Sequence, residues 1–192
     1  RVAAITNSEI LNYTNVARET GVSAKVVRSY FQILEDTLLG FRIAPWTKSR
    51  TRRMILTEKF YFFDVGVANF LARRKPAIGS TDFGKSFEHF LLTEIMNYRR
   101  YKEPDLDIRY WRTSTGLEVD FILGSMDAAI EVKATSKAHS GHTAALQALC
   151  REVRVKHPLV VTLETMPRRL TGGIETLPWR MFLERLWAGE LV

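Results

Sequence analysis

The chain has 192 residues, of which 46% are hydrophobic and 26% charged, a composition typical of a globular protein with one or two domains. It has no apolar run near the roughly 20 residues that span a bilayer, and its first residues do not form a signal peptide, so we expect neither membrane insertion nor secretion. The single cysteine, Cys150, excludes an intramolecular disulfide and favours a cytoplasmic location.

The excess positive charge lies in the first part of the chain. Residues 1–75 contain 13 Lys and Arg against 6 Asp and Glu, whereas residues 76–192 contain 15 of each kind. This distribution predicts a nucleic-acid-binding module, with DNA as its partner, attached to a neutral module. A basic solvated surface that binds no partner is the alternative.

A helix-turn-helix is predicted near the start of the chain. A short helix over Val16–Thr20 ends at Gly21, and Ser23 caps a second helix over about Ala24–Glu35. The solvent side of the second helix carries side chains of the kinds that contact phosphates and base edges: Lys25, Arg28, Ser29 and Gln32. Three-helix modules that bind proteins share this pattern, so protein contact remains the alternative to DNA contact.

Two strand-like runs, Gly40–Trp46 and Met54–Leu56, enclose a basic loop and predict a β-wing after the second helix. We expect the cations of this loop to contact a phosphate backbone, with an affinity that falls as salt rises. They are Lys48, Arg50, Arg52 and Arg53. A later helix runs through Leu71 and is ended by Arg73–Pro76, which predicts a winged-helix-like domain over residues 1–78 and a second domain over residues 79–192.

Residues Gly79–Ser86 match the phosphate-loop pattern G-x-x-x-x-G-K-[ST]. That motif requires a buried strand that runs directly into its first glycine, and the preceding residues, Ala72–Ile78, lack a strand pattern. Nucleotide binding at this segment is therefore the minor alternative, and we predict no bound nucleotide cofactor.

Residues Lys85–Tyr101 predict an amphipathic helix, with Glu88 on the shoulder of its buried arc. A carboxylate beside a core is costly unless it has a partner. A metal ion held by carboxylates of a neighbouring hairpin would be such a partner. Otherwise the Glu88 side chain reaches solvent.

A β-hairpin is predicted from Leu117–Leu123 and Ala128–Lys133, joined by a tight turn. Apolar residues alternate along both strands, and the register that matches them pairs positions whose numbers sum to 251. This register sets Val119 against Val132 and Phe121 against Ile130. It predicts that Val119, Phe121 and Leu123 share one face of the sheet.

The opposite face of this hairpin carries the charged residues that could bind a metal ion. Asp120 falls opposite Glu131, and Glu118 falls opposite Lys133. Two facing carboxylates repel unless a cation lies between them, so the pattern predicts a Mg²⁺ or Mn²⁺ site with Lys133 beside it, as in a metal-dependent phosphodiesterase. A solvated strand face with a Glu118–Lys133 ion pair is the alternative.

Helices and strands continue to alternate after the hairpin, which predicts an α/β domain with a mixed sheet over residues 79–192. His139 and His142 could line a site beside Lys133, although histidines near a helix start are commonly caps or surface residues. The remaining predicted elements are a helix over His142–Lys156, strands over Leu159–Glu164 and Ile174–Trp179, and a helix over Met181–Trp187.

Several separate blocks of the sequence resemble the C-terminal region of prokaryotic P-loop ATPases of the AAA type. These blocks are Tyr13–Ala17, Tyr61–Gly66, Gly84 with Phe87-Glu88, Tyr110–Thr113, Glu118–Phe121 and Ile130–Lys133. The resemblance covers nearly the whole chain. Gly84 belongs to one of these blocks, which makes the phosphate-loop match look coincidental.

The resemblance implies a winged helix-turn-helix followed by a PD-(D/E)xK restriction-endonuclease-like core. It implies catalytic roles for Glu88, Asp120, Glu131 and Lys133, with Mg²⁺ or Mn²⁺ bound by Asp120, Glu131 and Glu88. It also implies an ATPase domain of the same polypeptide upstream of Arg1. The expected function is nucleic-acid processing by metal-dependent DNA hydrolysis, and the alternative is a non-catalytic regulatory module that binds DNA or protein. Oligomerisation is left open.

Overall fold

The computed structural model describes residues 1–48 and 52–192 and has a mixed α/β architecture. The chain divides into two compact units that interleave in sequence. The first unit contains residues 1–44 and 57–90, and the second contains residues 45–56 and 91–192.

The first unit contains the helices and strands that precede the middle of the long helix α5. They are α1 (Val2–Ile5), α2 (Tyr13–Thr20), α3 (Ala24–Asp36), β1 (Gly40–Pro45), β2 (Lys59–Phe62), α4 (Val65–Ala72) and the first part of α5 (Thr81–Tyr101). The predicted pair of helices is present. Gly21 ends α2 in the left-handed conformation at φ 71°, and the Ser23 side chain caps α3 by accepting from the Val26 N–H at 3.3 Å.

The predicted wing strand at Met54–Leu56 is wrong. The antiparallel partner of β1 is β2, with Gly40 opposite Phe62. The physical reason is burial, because Phe60 and Phe62 pack in the core of the first unit, whereas Leu56 is 72% exposed.

Aromatic side chains hold this core together. The ring of Phe60 lies edge to face against Phe31 of α3 at 4.9 Å and against Phe62 at 5.4 Å. Gly40 is required at the start of β1, because a Cβ atom there would lie 2.3 Å from the Phe60 ring. Strand β2 therefore packs closely against both α3 and β1.

His89 is a buried histidine of α5 that the sequence pattern did not single out. The Phe62 N–H donates to Asn7 Oδ1 at 2.8 Å, so the Asn7 amide nitrogen faces His89 Nδ1, 3.2 Å away. The proton of the neutral ring therefore lies on Nε2, which donates to the Phe62 carbonyl at 2.7 Å. Burial lowers the pKa of His89 below the ordinary value of 6.5.

We expect His89→Ala to lower the free energy of unfolding by about 3 kcal/mol, because it leaves a cavity and two buried polar groups without their partner. The wild type should lose stability as pH falls below about 6.5, since the unfolded chain then binds a proton that the folded ring excludes. Urea denaturation at pH 7.5 and 5.5 measures both effects. An equally steep pH dependence in His89→Ala would contradict the assignment.

The second unit contains six neighbouring strands of a mixed sheet, in the order β3-β4-β5-β6-β8-β7. Pairs β5–β6 and β6–β8 are parallel, and the other neighbours are antiparallel. The elements are β3 (Ile108–Arg112), β4 (Glu118–Leu123), β5 (Ala128–Lys133), α6 (Ala144–Glu152), β6 (His157–Thr162), β7 (Arg168–Arg169), β8 (Glu175–Pro178) and α7 (Trp179–Trp187). A 3₁₀ turn over Ser140–Thr143 precedes α6.

One hydrophobic core of this unit lies between the sheet and α6. Trp111, Ile122 and Ala129 of the sheet pack with Leu146 and Leu149 of the helix. The alternation of strands and helices predicted after the hairpin is confirmed, while β3 and β7 lie in segments for which the sequence predicted no strand.

Candidate active site

Asp120 lies in a β-bulge of strand β4. Arg109 pairs with Ile122 and Trp111 pairs with Val119, so two residues of β4, Asp120 and Phe121, oppose the single Tyr110 of β3. Such a bulge redirects the side chains of the longer strand.

The bulge corrects one prediction about the faces of the hairpin. Val119 packs with Ile122 and Ala129 in the core beside α6 and does not share a face with Phe121 and Leu123. The extra residue shifts the alternation of side chains at Asp120, and the sequence pattern alone does not reveal such a shift.

The predicted register is confirmed for the closed end of the hairpin, where Phe121 pairs with Ile130 and Leu123 pairs with Ala128. Beyond that end, the Asp120 carboxylate takes part in the strand pairing itself. Its Oδ2 atom accepts a hydrogen bond of 2.7 Å from the Val132 N–H. The carboxylate is therefore held by the backbone of β5, next to Glu131.

Glu131 and Lys133 form a direct ion pair, with 2.5 Å between Oε1 and Nζ. The prediction that Lys133 reaches the same place as Glu131 is confirmed. Glu131 and Asp120 are buried, at 7% and 8% exposure, whereas Lys133 is half-buried. Glu118 pairs with Arg112 of β3 at 2.6 Å.

These residues fit a divalent cation of the Mg²⁺ type. Asp120 and Glu131 supply hard oxygen ligands, and Mg²⁺ in proteins commonly uses one or two carboxylates together with water and substrate phosphate. The carboxylates of Asp120 and Glu131 are buried and, together with the Lys133 ammonium, have a formal charge of −1, which favours binding of a cation. Within residues 1–48 and 52–192, no group of three or more His, Cys, Asp or Glu side chains is arranged to hold a metal ion.

Glu88 lies in the first unit, where it contacts β2. The Tyr61 hydroxyl donates to Glu88 Oε1 at 2.7 Å, and the Lys59 ammonium lies 3.6 Å from the same oxygen. Tyr61 and Lys59 of the first unit therefore supply the polar partners that a carboxylate beside a core needs. A role for Glu88 together with Asp120 and Glu131 stays a prediction.

A second carboxylate network, which the sequence did not reveal, anchors the loop that follows β5. Glu164 accepts from the Ala138 N–H at 2.6 Å and from the Thr176 hydroxyl at 3.1 Å. Arg168 contacts both oxygens of Glu164 and donates to the Ala138 carbonyl at 2.9 Å. The Arg168 hydrogen bonds are the main cause that lowers the pKa of Glu164.

The cations predicted on α3 are exposed. Arg28 lies over the Tyr13 ring at 5.0 Å, and Lys25 lies one turn before it. A second, apolar stripe runs along the same helix, formed by Val26, Tyr30 and Ile33. Tyr30 and Ile33 are 59% and 53% exposed.

The cations predicted in the basic loop belong to the second unit, apart from Arg50, which lies outside the described residues. Arg52 forms an ion pair with Glu152 of α6, and Arg53 is exposed. Lys48 and Arg109 line a cavity of about 270 Å³ beside Trp46. The segment is held along β3 by a hydrogen bond of 3.0 Å from the Ile55 N–H to the Arg112 carbonyl.

The phosphate-loop match has a helical structure. The part of the match from Thr81 onward lies inside α5. Residues 73–80, which directly precede α5, contain no strand. Lys85 pairs with Glu9 at 2.5 Å, and Ser86 hydrogen-bonds with Asn69. This segment lacks the strand–loop–helix geometry of a phosphate loop.

Comparison with known families and proteins gives matches of unknown function. The family model described as domain of unknown function DUF4143 matches residues 83–182, and the model DUF8612 matches residues 1–77. Uncharacterized proteins of Mycobacterium tuberculosis and Mycobacterium bovis are each 25% identical over 140 residues. The alignment covers 68% of this chain but 30% of each relative. No solved structure matches the chain.

None of the helices in residues 1–48 and 52–192 combines the length and the apolar character that crossing a membrane requires.

Proposed function

Because the chain belongs to the DUF4143 family, which is associated with AAA ATPases, we propose that it is the nucleic-acid-processing module of such an ATPase and hydrolyses phosphodiester bonds with a divalent metal. In this proposal the first unit acts as a winged helix and the second as a PD-(D/E)xK nuclease-like core. The ATPase domain would lie in the same polypeptide, upstream of Arg1.

The observation that carries the proposal is the placement of Asp120, Glu131 and Lys133 on the central strands of the second unit. The bulge and the Val132 N–H hold Asp120, and the ion pair holds Lys133 against Glu131. Two buried carboxylates beside one ammonium group cost free energy in a structural role. A binding or catalytic role would account for this cost.

Each residue has a defined task in this proposal. Asp120 and Glu131 would hold Mg²⁺ or Mn²⁺, which supplies charge neutralisation at the phosphate and activation of water when bound. Lys133 would donate a hydrogen bond to the attacked phosphate or orient the water molecule. Glu131 keeps the Lys133 ammonium at this position, so the lysine is preorganised before substrate binds.

Cleavage of DNA or RNA by the purified chain tests the proposal. We expect cleavage with Mg²⁺ or Mn²⁺ and none with EDTA. Absence of cleavage of both nucleic acids with both metals would remove the enzymatic claim for this chain.

A non-catalytic binding module is the second candidate, and the surface of α3 favours it. Its exposed apolar stripe of Val26, Tyr30 and Ile33 is typical of contact with protein. The neighbouring Lys25 and Arg28 suit phosphate contact. The two stripes support binding of DNA, of a protein, or of both.

We expect Lys25→Glu and Arg28→Glu each to weaken binding to duplex DNA and to reduce the slope of log affinity against log salt by about one per lost phosphate contact. Fluorescence anisotropy at several salt concentrations measures this slope. Lys102→Glu, an equal charge change on an exposed residue at the end of α5, is the matched control. An equal effect of all three variants would show that α3 makes no specific contact.

A further inference from the structure

Two histidines after β5 form a stacked pair. The ring centroids of His139 and His142 are 3.7 Å apart, with 33° between the ring planes. The His139 N–H donates to His142 Nδ1 at 3.3 Å, and the Gly141 N–H donates to His139 Nδ1 at 3.1 Å. The two rings thus cap the 3₁₀ turn Ser140–Thr143.

These two bonds determine which nitrogen of each ring carries the proton. Both Nδ1 atoms accept hydrogen bonds, so each neutral ring is protonated on Nε2. The pair therefore presents two N–H donors at Nε2 and offers no Nε2 lone pair to a metal ion. Burial, followed by the charges of His139 and Lys133, lowers the pKa of His142, which keeps its ring neutral at neutral pH.

The pair lies beside the candidate active site and is held there. The 3₁₀ turn packs against β5, the strand whose last residue is Lys133. Ala138, the residue directly before the pair, is fixed on both its N–H and its carbonyl by Glu164 and Arg168. The two rings are consequently fixed in position beside the strand that ends at Lys133, and preorganised donors of this kind suit an anion.

We propose that His139 and His142 bind a phosphate group beside Lys133 by donating hydrogen bonds from Nε2 to its non-bridging oxygens. The inference rests on the proposed function, for which it names the phosphate-contacting residues. The ligand is a phosphate of the nucleic-acid strand next to the attacked one. Binding does not require protonation of either ring, since the neutral form already donates.

Two substitutions at His142 separate phosphate binding from capping. Asn can replace Nδ1 as the acceptor of the His139 N–H but cannot reach the position of Nε2. Gln places an N–H donor at the position of Nε2 but has no acceptor at the position of Nδ1, so the capping hydrogen bond from the His139 N–H is lost. We expect His142→Asn to keep the stability of the fold and to weaken oligonucleotide binding about five- to tenfold, whereas His142→Gln lowers stability and keeps affinity within about twofold.

Binding is measured by fluorescence anisotropy with Ca²⁺ in place of Mg²⁺, and stability by urea denaturation. Wild-type affinity in both His142→Asn and the double variant His139→Asn/His142→Asn would overturn the inference. The inference would also be overturned if the affinity of the variants fell in proportion to their stability, so that His142→Gln bound more weakly than His142→Asn. Competition by inorganic phosphate, lost in the double variant, would assign the site to free phosphate as well as to the strand.

Failure of the proposed function is distinguishable from failure of this inference. If the wild type neither binds nor cleaves nucleic acid, the proposed function is lost, and the histidines are then tested by calorimetric titration with inorganic phosphate. Weaker phosphate binding by the double variant would support the site, and equal binding would overturn it. If the wild type cleaves and the double variant binds normally, only the histidine inference is lost.

Discussion

Asp120→Asn is expected to reduce metal-dependent cleavage at least about 100-fold while the chain stays folded. The amide oxygen of Asn can still accept the hydrogen bond from the Val132 N–H, so the hairpin keeps its pairing. The change removes one of the two negative charges that would hold the metal ion. Initial rates on a labelled duplex, with circular dichroism as the check of folding, measure the effect.

Two further variants sharpen this test. Lys133→Ala should abolish cleavage as well, but it also removes the ion-pair partner of the buried Glu131 and should lower stability. Glu118→Gln is the matched control, because Glu118 lies on the same strand and pairs with Arg112. Unchanged cleavage in Asp120→Asn, or an equal loss in Glu118→Gln, would disprove the assignment.

Glu164→Ala is expected to lower the free energy of unfolding by about 3 kcal/mol. It leaves the buried Ala138 N–H without its acceptor and removes one of the two acceptors of the Thr176 hydroxyl, and a buried polar group without a partner costs about 1–3 kcal/mol. The exposed Arg168 guanidinium adds little, since water screens its charge. Urea denaturation at pH 7 measures the change, with Glu184→Ala on the exposed side of α7 as the control.

The same network has a defined pH dependence. The hydrogen bonds from Arg168 lower the pKa of folded Glu164 below its ordinary value of 4.5, so the folded chain binds this proton less readily than the unfolded chain. The stabilisation is therefore complete above about pH 5 and is lost as pH falls through the lowered pKa. Glu164→Gln should abolish this loss between pH 5 and 3. A wild type and a variant with parallel pH profiles would contradict the role of Glu164.

The sequence alone predicted the elements that depend on residues close together in the chain. Gly21 and Ser23 mark the turn between α2 and α3, because a left-handed C-cap and a serine N-cap are local features. The alternation of apolar residues likewise sets the register of the hairpin at Phe121 and Ile130, since any slip by one residue would bury polar side chains.

Tertiary structure decided the features that depend on distant partners. The bulge at Asp120 requires β3, a strand that the sequence pattern did not indicate. The partner of β1 is β2 because aromatic side chains from separate segments pack there, and Met54 instead bridges Thr113.

The sequence alone predicted that Glu131 and Lys133 lie on the same side of β5, because strand alternation places residues two positions apart on one side, and their ion pair agrees with this. Sequence spacing could not show that Asp120 bonds to the backbone of the next strand, nor that Glu164 and Arg168 anchor the loop behind Lys133. Those contacts join residues that are 12 to 30 positions apart. Only the packed sheet brings such residues together, and local pattern carries no information about it.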